Sequence, residues 1–88
     1  MKVLFTFDGA DEHVVAAYWQ EGKDVASEVW DPRGSITKYF RNSSLDDVAK
    51  NILNGHVDGI ETEVDSVKAA LHYLGKTPDL IRNLAKKG

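Results

Sequence analysis

The side chains of this 88-residue chain best suited to hold a metal or move a proton are His13, His56 and His72, with Asp8, Asp11 and Glu12 just ahead of the first. A zinc site needs its ligands at set spacings such as HxxxH or HExxH, and these three imidazoles lie too far apart in sequence to supply one. The DGADE loop, Asp8 to Glu12, is acidic enough to attract a divalent cation, yet it lacks the alternating ligands of an EF-hand and reads as a solvated loop. His72 reads as a solvent-facing helix residue. Ser43 and Ser44 stand outside any GxSxG context, which leaves them as helix caps and not nucleophiles. The seven glycines are scattered singly, so no run of backbone amides is set up to cradle a phosphate. There is no cysteine, which removes disulfides, thiolate metal sites and cysteine nucleophiles together. The chain therefore reads as a protein that is not an enzyme and that carries no cofactor and no metal.

What it offers instead is charge and aromatic surface. The formal net charge is -3, unevenly spread: Met1 to Val64 carries six Lys/Arg against twelve Asp/Glu, and Asp65 to Gly88 five against two. An acidic body with a basic end is a steering field for a partner. Trp19, Trp30, Tyr18, Tyr39 and Phe40 all fall in stretches with strand character, more aromatic surface than one small half-covered sheet can hide. Aromatic anchors inside a charged rim are what protein interfaces favour. Trp19, Asp24, Glu28, Trp30 and Tyr39 are accordingly the candidate partner-binding residues, facing a protein with a basic surface. The alternative is that the two tryptophans complete the core or a dimer contact.

The elements that must carry these groups begin with strands. Lys2 to Phe7 alternates, with Val3, Phe5 and Phe7 on one face and Lys2, Leu4 and Thr6 on the other. His13 to Gln20 is apolar on both faces, and the turn at Glu21-Gly22-Lys23 leads into a β-branched and aromatic run, Val25 to Trp30. Asp31-Pro32-Arg33-Gly34 has Asp, Pro and Gly where a type I turn wants them, and Ser35 to Arg41 returns as a strand. Residues 1–41 thus predict an antiparallel meander of three to four strands.

Helices follow. Ser44 with Asp47 three residues on caps a helix over 44–54, whose Leu45, Val48, Ala49, Ile52 and Leu53 share one face. After an Asp58-Gly59 turn signal, Thr62 and Asp65 can cap a second helix over 62–74, with Val64, Val67, Leu71 and Leu74 as its apolar face. Gly75 stops it where a left-handed residue is wanted. Thr77, Pro78 and Asp79 then start a third helix over 78–87, apolar at Leu80, Ile81, Leu84 and Ala85 and basic at Arg82, Lys86 and Lys87. The expected fold is a single α+β domain over 1–88, the meander followed by three helices packed on one face.

The last two helices, with Leu74 and Gly75 before the turn and Ile81 and Leu84 on the inner side of a basic helix, resemble the helix-turn-helix of phage repressors and excisionase-type regulators. That resemblance implies DNA binding through Arg82, Asn83, Lys86 and Lys87. The alternative is an ordinary helical hairpin that closes the core. The Ala26 to Gly34 hairpin, its returning strand and the helix at Leu45 are also similar to the three-stranded sheet plus helix of apetala-type plant factors and phage integrase arm-binding domains. Those domains lay arginine-bearing strands in the major groove, whereas the strands here present Asp24, Glu28 and Asp31, which repel phosphate.

Weighed together, these features predict a small protein-binding module of the acidic inhibitor or adaptor kind that phages and mobile elements encode, with the DNA-binding regulator as the alternative. The MKVLFTFDG start is too short an apolar run for a signal peptide and no segment is long enough to span a bilayer, so the expected location is cytoplasmic. A homodimer is a further expectation from the surplus of aromatic residues.

Overall fold

The computed structural model describes residues 1–7, 13–54 and 58–86. The acidic loop from Asp8 to Glu12, together with Gly55, His56, Val57, Lys87, Gly88 and the side chains of Ala85 and Lys86, lies outside that set. The chain runs β1 (Lys2–Phe7), β2 (Val14–Glu21), β3 (Asp24–Asp31), β4 (Gly34–Phe40), α1 (Leu45–Leu53), β5 (Asp58–Glu63), α2 (Val67–Leu71) and α3 (Pro78–Lys86). The architecture is α+β, with one antiparallel sheet in the order β4-β3-β2-β1-β5.

The four-strand meander forms where alternation places it, and β5 is a fifth strand. Asp58 to Glu63, expected as a turn and the front of a helix, pairs along the whole of β1, with Lys2 opposite Glu63 and Phe5 opposite Ile60. This pairing overrides the capping box at Thr62. The cap of α2 is Ser66, whose hydroxyl accepts from the Ala69 N–H at 3.1 Å. The helix is correspondingly short, and its continuation through Tyr73, Leu74 and Lys76 proceeds by i→i+3 turns. By contrast α1 begins at its expected cap, Ser44 Oγ accepting from Asp47 N–H at 3.2 Å.

The helices do not pack on one face. Val3, Phe5, Phe7, Val14, Ala17, Trp19 and Ala26 form one buried layer with Val64, Ala70 and Ile81, joined by the inward side chains of α2 and α3. Leu4 and Val25 point to the opposite side and are buried with Leu45, Val48 and Ala49 of α1. The cause lies in Leu4, an apolar residue at an even position of β1, which therefore points away from Val3, Phe5 and Phe7. Exposing Leu4 would forfeit about 1.5–3 kcal/mol of burial, so a second cover is needed. We call the two sides the helix-pair side (α2 and α3) and the single-helix side (α1). Neither cover reaches β4, every residue of which is exposed.

Gln20 joins the layers. Its amide N–H groups are shared among the carbonyls of Gly22, Asp24 and Ser43 at 2.8 to 3.1 Å, and its Oε1 accepts from Leu45 N–H at 2.8 Å. One side chain thus closes the β2–β3 hairpin and satisfies an amide in the first turn of α1.

Candidate docking face on the outer strands

Strand register decides which predicted residues share a surface. Val3 lies opposite Trp19, Trp19 opposite Ala26, and Ala26 opposite Tyr39; Glu28 lies opposite Thr37 and Trp30 opposite Ser35. Side chains alternate along a strand, so Trp19, Asp24, Glu28, Trp30 and Tyr39 all belong to the helix-pair side.

They do not share its solvent. Trp19 is 6% exposed and belongs to the core beneath the helices, which removes it from any docking surface. Trp30 is half-buried. Its indole meets the His13 ring with centroids 4.3 Å apart and lies against Gly75 of the turn before α3. Tyr39, on β4 beyond the reach of the helices, is 60% exposed.

The two acids are held by local partners. Glu28 accepts from the Thr37 hydroxyl at 2.9 and 3.0 Å through its two carboxylate oxygens. Asp24 accepts from Asn42 N–H at 2.9 Å, where Asn42 adopts a left-handed backbone with φ of 52°. Glu21 lies opposite Asp24 on the same side. Strand positions of β3 and β4 on this side include no lysine or arginine, since Lys38 points to the single-helix side with Ile36 and Phe40. The exposed strip is therefore a tyrosine and a partly covered tryptophan among carboxylates.

The single-helix side carries a separate ionic group. Lys2 Nζ lies 2.9 Å from Glu61 and 3.4 Å from Asp46. The hydrogen bond and charge of Glu61, then Asp46, hold the Lys2 ammonium above its usual range. Tyr18, next to Phe40 on this side, has its phenol pushed up by burial, with a hydrogen bond from Thr6 acting the other way.

On α3, Ile81 and Leu84 face the core and Asp79, Leu80 and Asn83 face solvent. Arg82 is intermediate. Its Nη1 donates to Asp79 at 3.0 Å, and its guanidinium carbon lies 5.8 Å from the centre of the Phe7 ring. Lys86 belongs to the helix, and Lys87 lies outside the described residues. His13 and His72 each stand against an aromatic ring, Trp30 and Tyr73 respectively. Among the described residues no helix is long and apolar enough to cross a membrane.

No protein-family model, curated protein or solved structure matches the chain. The functional reading rests on the surface just described.

Proposed function

We propose that this protein is a small binding module, of inhibitor or adaptor type, that docks through the outer strands of its helix-pair side onto a basic or catalytic surface of a protein partner. The observation that carries the reading is register: Asp24, Glu28, Trp30 and Tyr39 fall on one side of adjoining strands, with Glu21 beside them and no cation at a strand position. The carboxylates steer a basic partner and raise the association rate, while Tyr39 and the open edge of Trp30 supply apolar contact.

The DNA-binding reading through Arg82, Asn83, Lys86 and Lys87 draws less support. α2 has five residues, and Arg82 is engaged with Asp79, an acid at the helix end that would approach phosphate. The test uses 15N-labelled protein titrated first with a lysine- and arginine-rich peptide and then with a DNA duplex at low salt. Shifts confined to Asp24, Glu28, Trp30 and Tyr39 with the peptide support the proposal. Shifts at Arg82 and Asn83 with duplex, and none with peptide, overturn it.

A further inference from the structure

The sheet has two edges, and only one is defended. β5 carries Asp58, Glu61 and Glu63 among six residues, and α3 packs along it. A row of carboxylates prevents such an edge from pairing with its own copy. β4 carries a single charge, Lys38, among seven residues, with Ile36 50% exposed and Phe40 38% exposed on one side and Tyr39 on the other.

The open hydrogen-bonding groups of β4 can be assigned. The β3–β4 hairpin closes through Pro32 and Arg33 between the paired Asp31 and Gly34. A two-residue loop leaves its flanking pair hydrogen-bonded to each other, and alternation then aims the N–H and C=O of Ser35, Thr37 and Tyr39 away from β3. Lys38, on the inward set, has its carbonyl accepting from the buried Ser27 hydroxyl of β3 at 3.3 Å.

From this geometry we infer that β4 is a dimerisation edge: two copies of the chain pair antiparallel through β4 about a twofold at Ile36, making one continuous sheet. Charge selects that register. A twofold at Lys38 sets lysine against lysine, and one at Thr37 sets Lys38 against Ile36 of the second copy, with Val29 next in that row and no acid in it. With the twofold at Ile36, Ile36 meets its counterpart beside Val29, and Lys38 lies over Gly34 of the second copy, where no side chain crowds its stem and where Asp31, opposite Gly34 on β3, stands next in the same row. The antiparallel pairing closes on itself, so it yields a dimer and uses the outward groups of Ser35 and Thr37 in both copies. It also brings the two copies of Tyr39 and Glu28 onto one side of the joined sheet. The inference stands on the edge alone and does not depend on the docking face.

A strand-to-strand contact of this length falls at the small end of specific interfaces, so the dimer forms in the micromolar range, on the order of 10–100 μM. Sedimentation of the full chain across that range is expected to show the mass rising from 9.8 kDa towards twice that value. Ile36→Lys places two ammonium groups at the twofold and is expected to weaken the dimer at least about tenfold. Ile36 is half exposed, so circular dichroism of the variant should match the parent. Because the chain has no cysteine, register is read directly. Ile36→Cys, at a closely spaced non-hydrogen-bonded pair, is expected to form a disulfide-linked dimer on mild oxidation, and Lys38→Cys is not. A constant 9.8 kDa mass up to millimolar concentration overturns the inference. So does a dimer that survives Ile36→Lys, or equal cross-linking by the two cysteine variants.

Discussion

Gly75 passes so close to Trp30 that a Cβ built on it would stand 2.6 Å from the indole Nε1 and 2.9 Å from Cε2. The backbone there is left-handed, with φ of 78°. The same turn is tied to the start of β2, Gly75 N–H donating to Val14 O at 2.9 Å and Val14 N–H to Lys76 O at 2.8 Å. Gly75 thus ends a helical segment and also seats the tryptophan that borders the exposed strip. Gly75→Ala must pay twice, in an unfavourable φ and in displacing a packed ring, for a total of about 2–4 kcal/mol. Urea unfolding should show the midpoint falling by the matching amount, with a shift in tryptophan emission. An unchanged midpoint would mean that the close approach is absent.

Gln20 supplies the second expectation. Its amide N–H groups serve three carbonyls while its oxygen serves Leu45 N–H, so both ends of the side chain are used. Gln20→Ala is expected to cost about 1–2 kcal/mol, and Gln20→Glu more, because a carboxylate has no donors for the carbonyls of Gly22, Asp24 and Ser43. Hydrogen exchange should localise the loss to the first turn of α1. Equal stability of the two variants would reject this account.

These two residues mark the boundary of what the sequence made legible. The meander could be read because Val3, Phe5 and Phe7, or Ile36 and Phe40, alternate against polar neighbours, and Ser44 could be read as a cap because its partner is three residues away. Trp19 and Trp30 look alike in sequence, and only the reach of α2 and α3 separates the core residue from the half-buried one. A signal for β5 was present in the alternation of Ile60, Thr62 and Val64, but Val64, Val67, Leu71 and Leu74 fit a helix equally well. Leu4, apolar between Val3 and Phe5, was the sign that both sides of the sheet need a cover. The role of Gln20 had no sequence signal, since its partners lie up to 25 residues away.

Tyr18 gives the fold an alkaline limit. Burial favours its neutral form, so its folded value lies above the ordinary one near about 10. A raised value means that the folded state holds the proton more tightly; this contribution is complete below the unfolded value and is lost as pH rises through the folded one. Lys2, raised by Glu61 and Asp46, acts in the same direction over the same range. Stability should therefore decline above about pH 10. Tyr18→Phe is expected to flatten that decline, leaving the part due to Lys2, with little change near neutral pH because the ring and its burial are kept. A thermal-unfolding series against pH decides it, and an identical alkaline slope in both proteins would refute the assignment.

The proposed docking face makes its own demand on Glu28 and Thr37. Thr37 Oγ1 lies 2.9 and 3.0 Å from the two Glu28 oxygens, fixing the carboxylate on the exposed strip beside Tyr39. If the strip meets a basic partner, charge should govern arrival and the aromatic ring departure. Glu28→Gln keeps the shape and hydrogen-bonding capacity of the site, and is expected to slow association with a basic peptide several-fold at low ionic strength and to reduce its salt dependence. Tyr39→Ala should instead speed dissociation, by about tenfold where the ring is an anchor. Thr37→Val leaves the charge but releases the carboxylate, and its effect on association should be smaller than that of Glu28→Gln. Surface plasmon resonance at two salt concentrations separates these outcomes. Association unaltered by Glu28→Gln at low salt would move the binding surface off the outer strands.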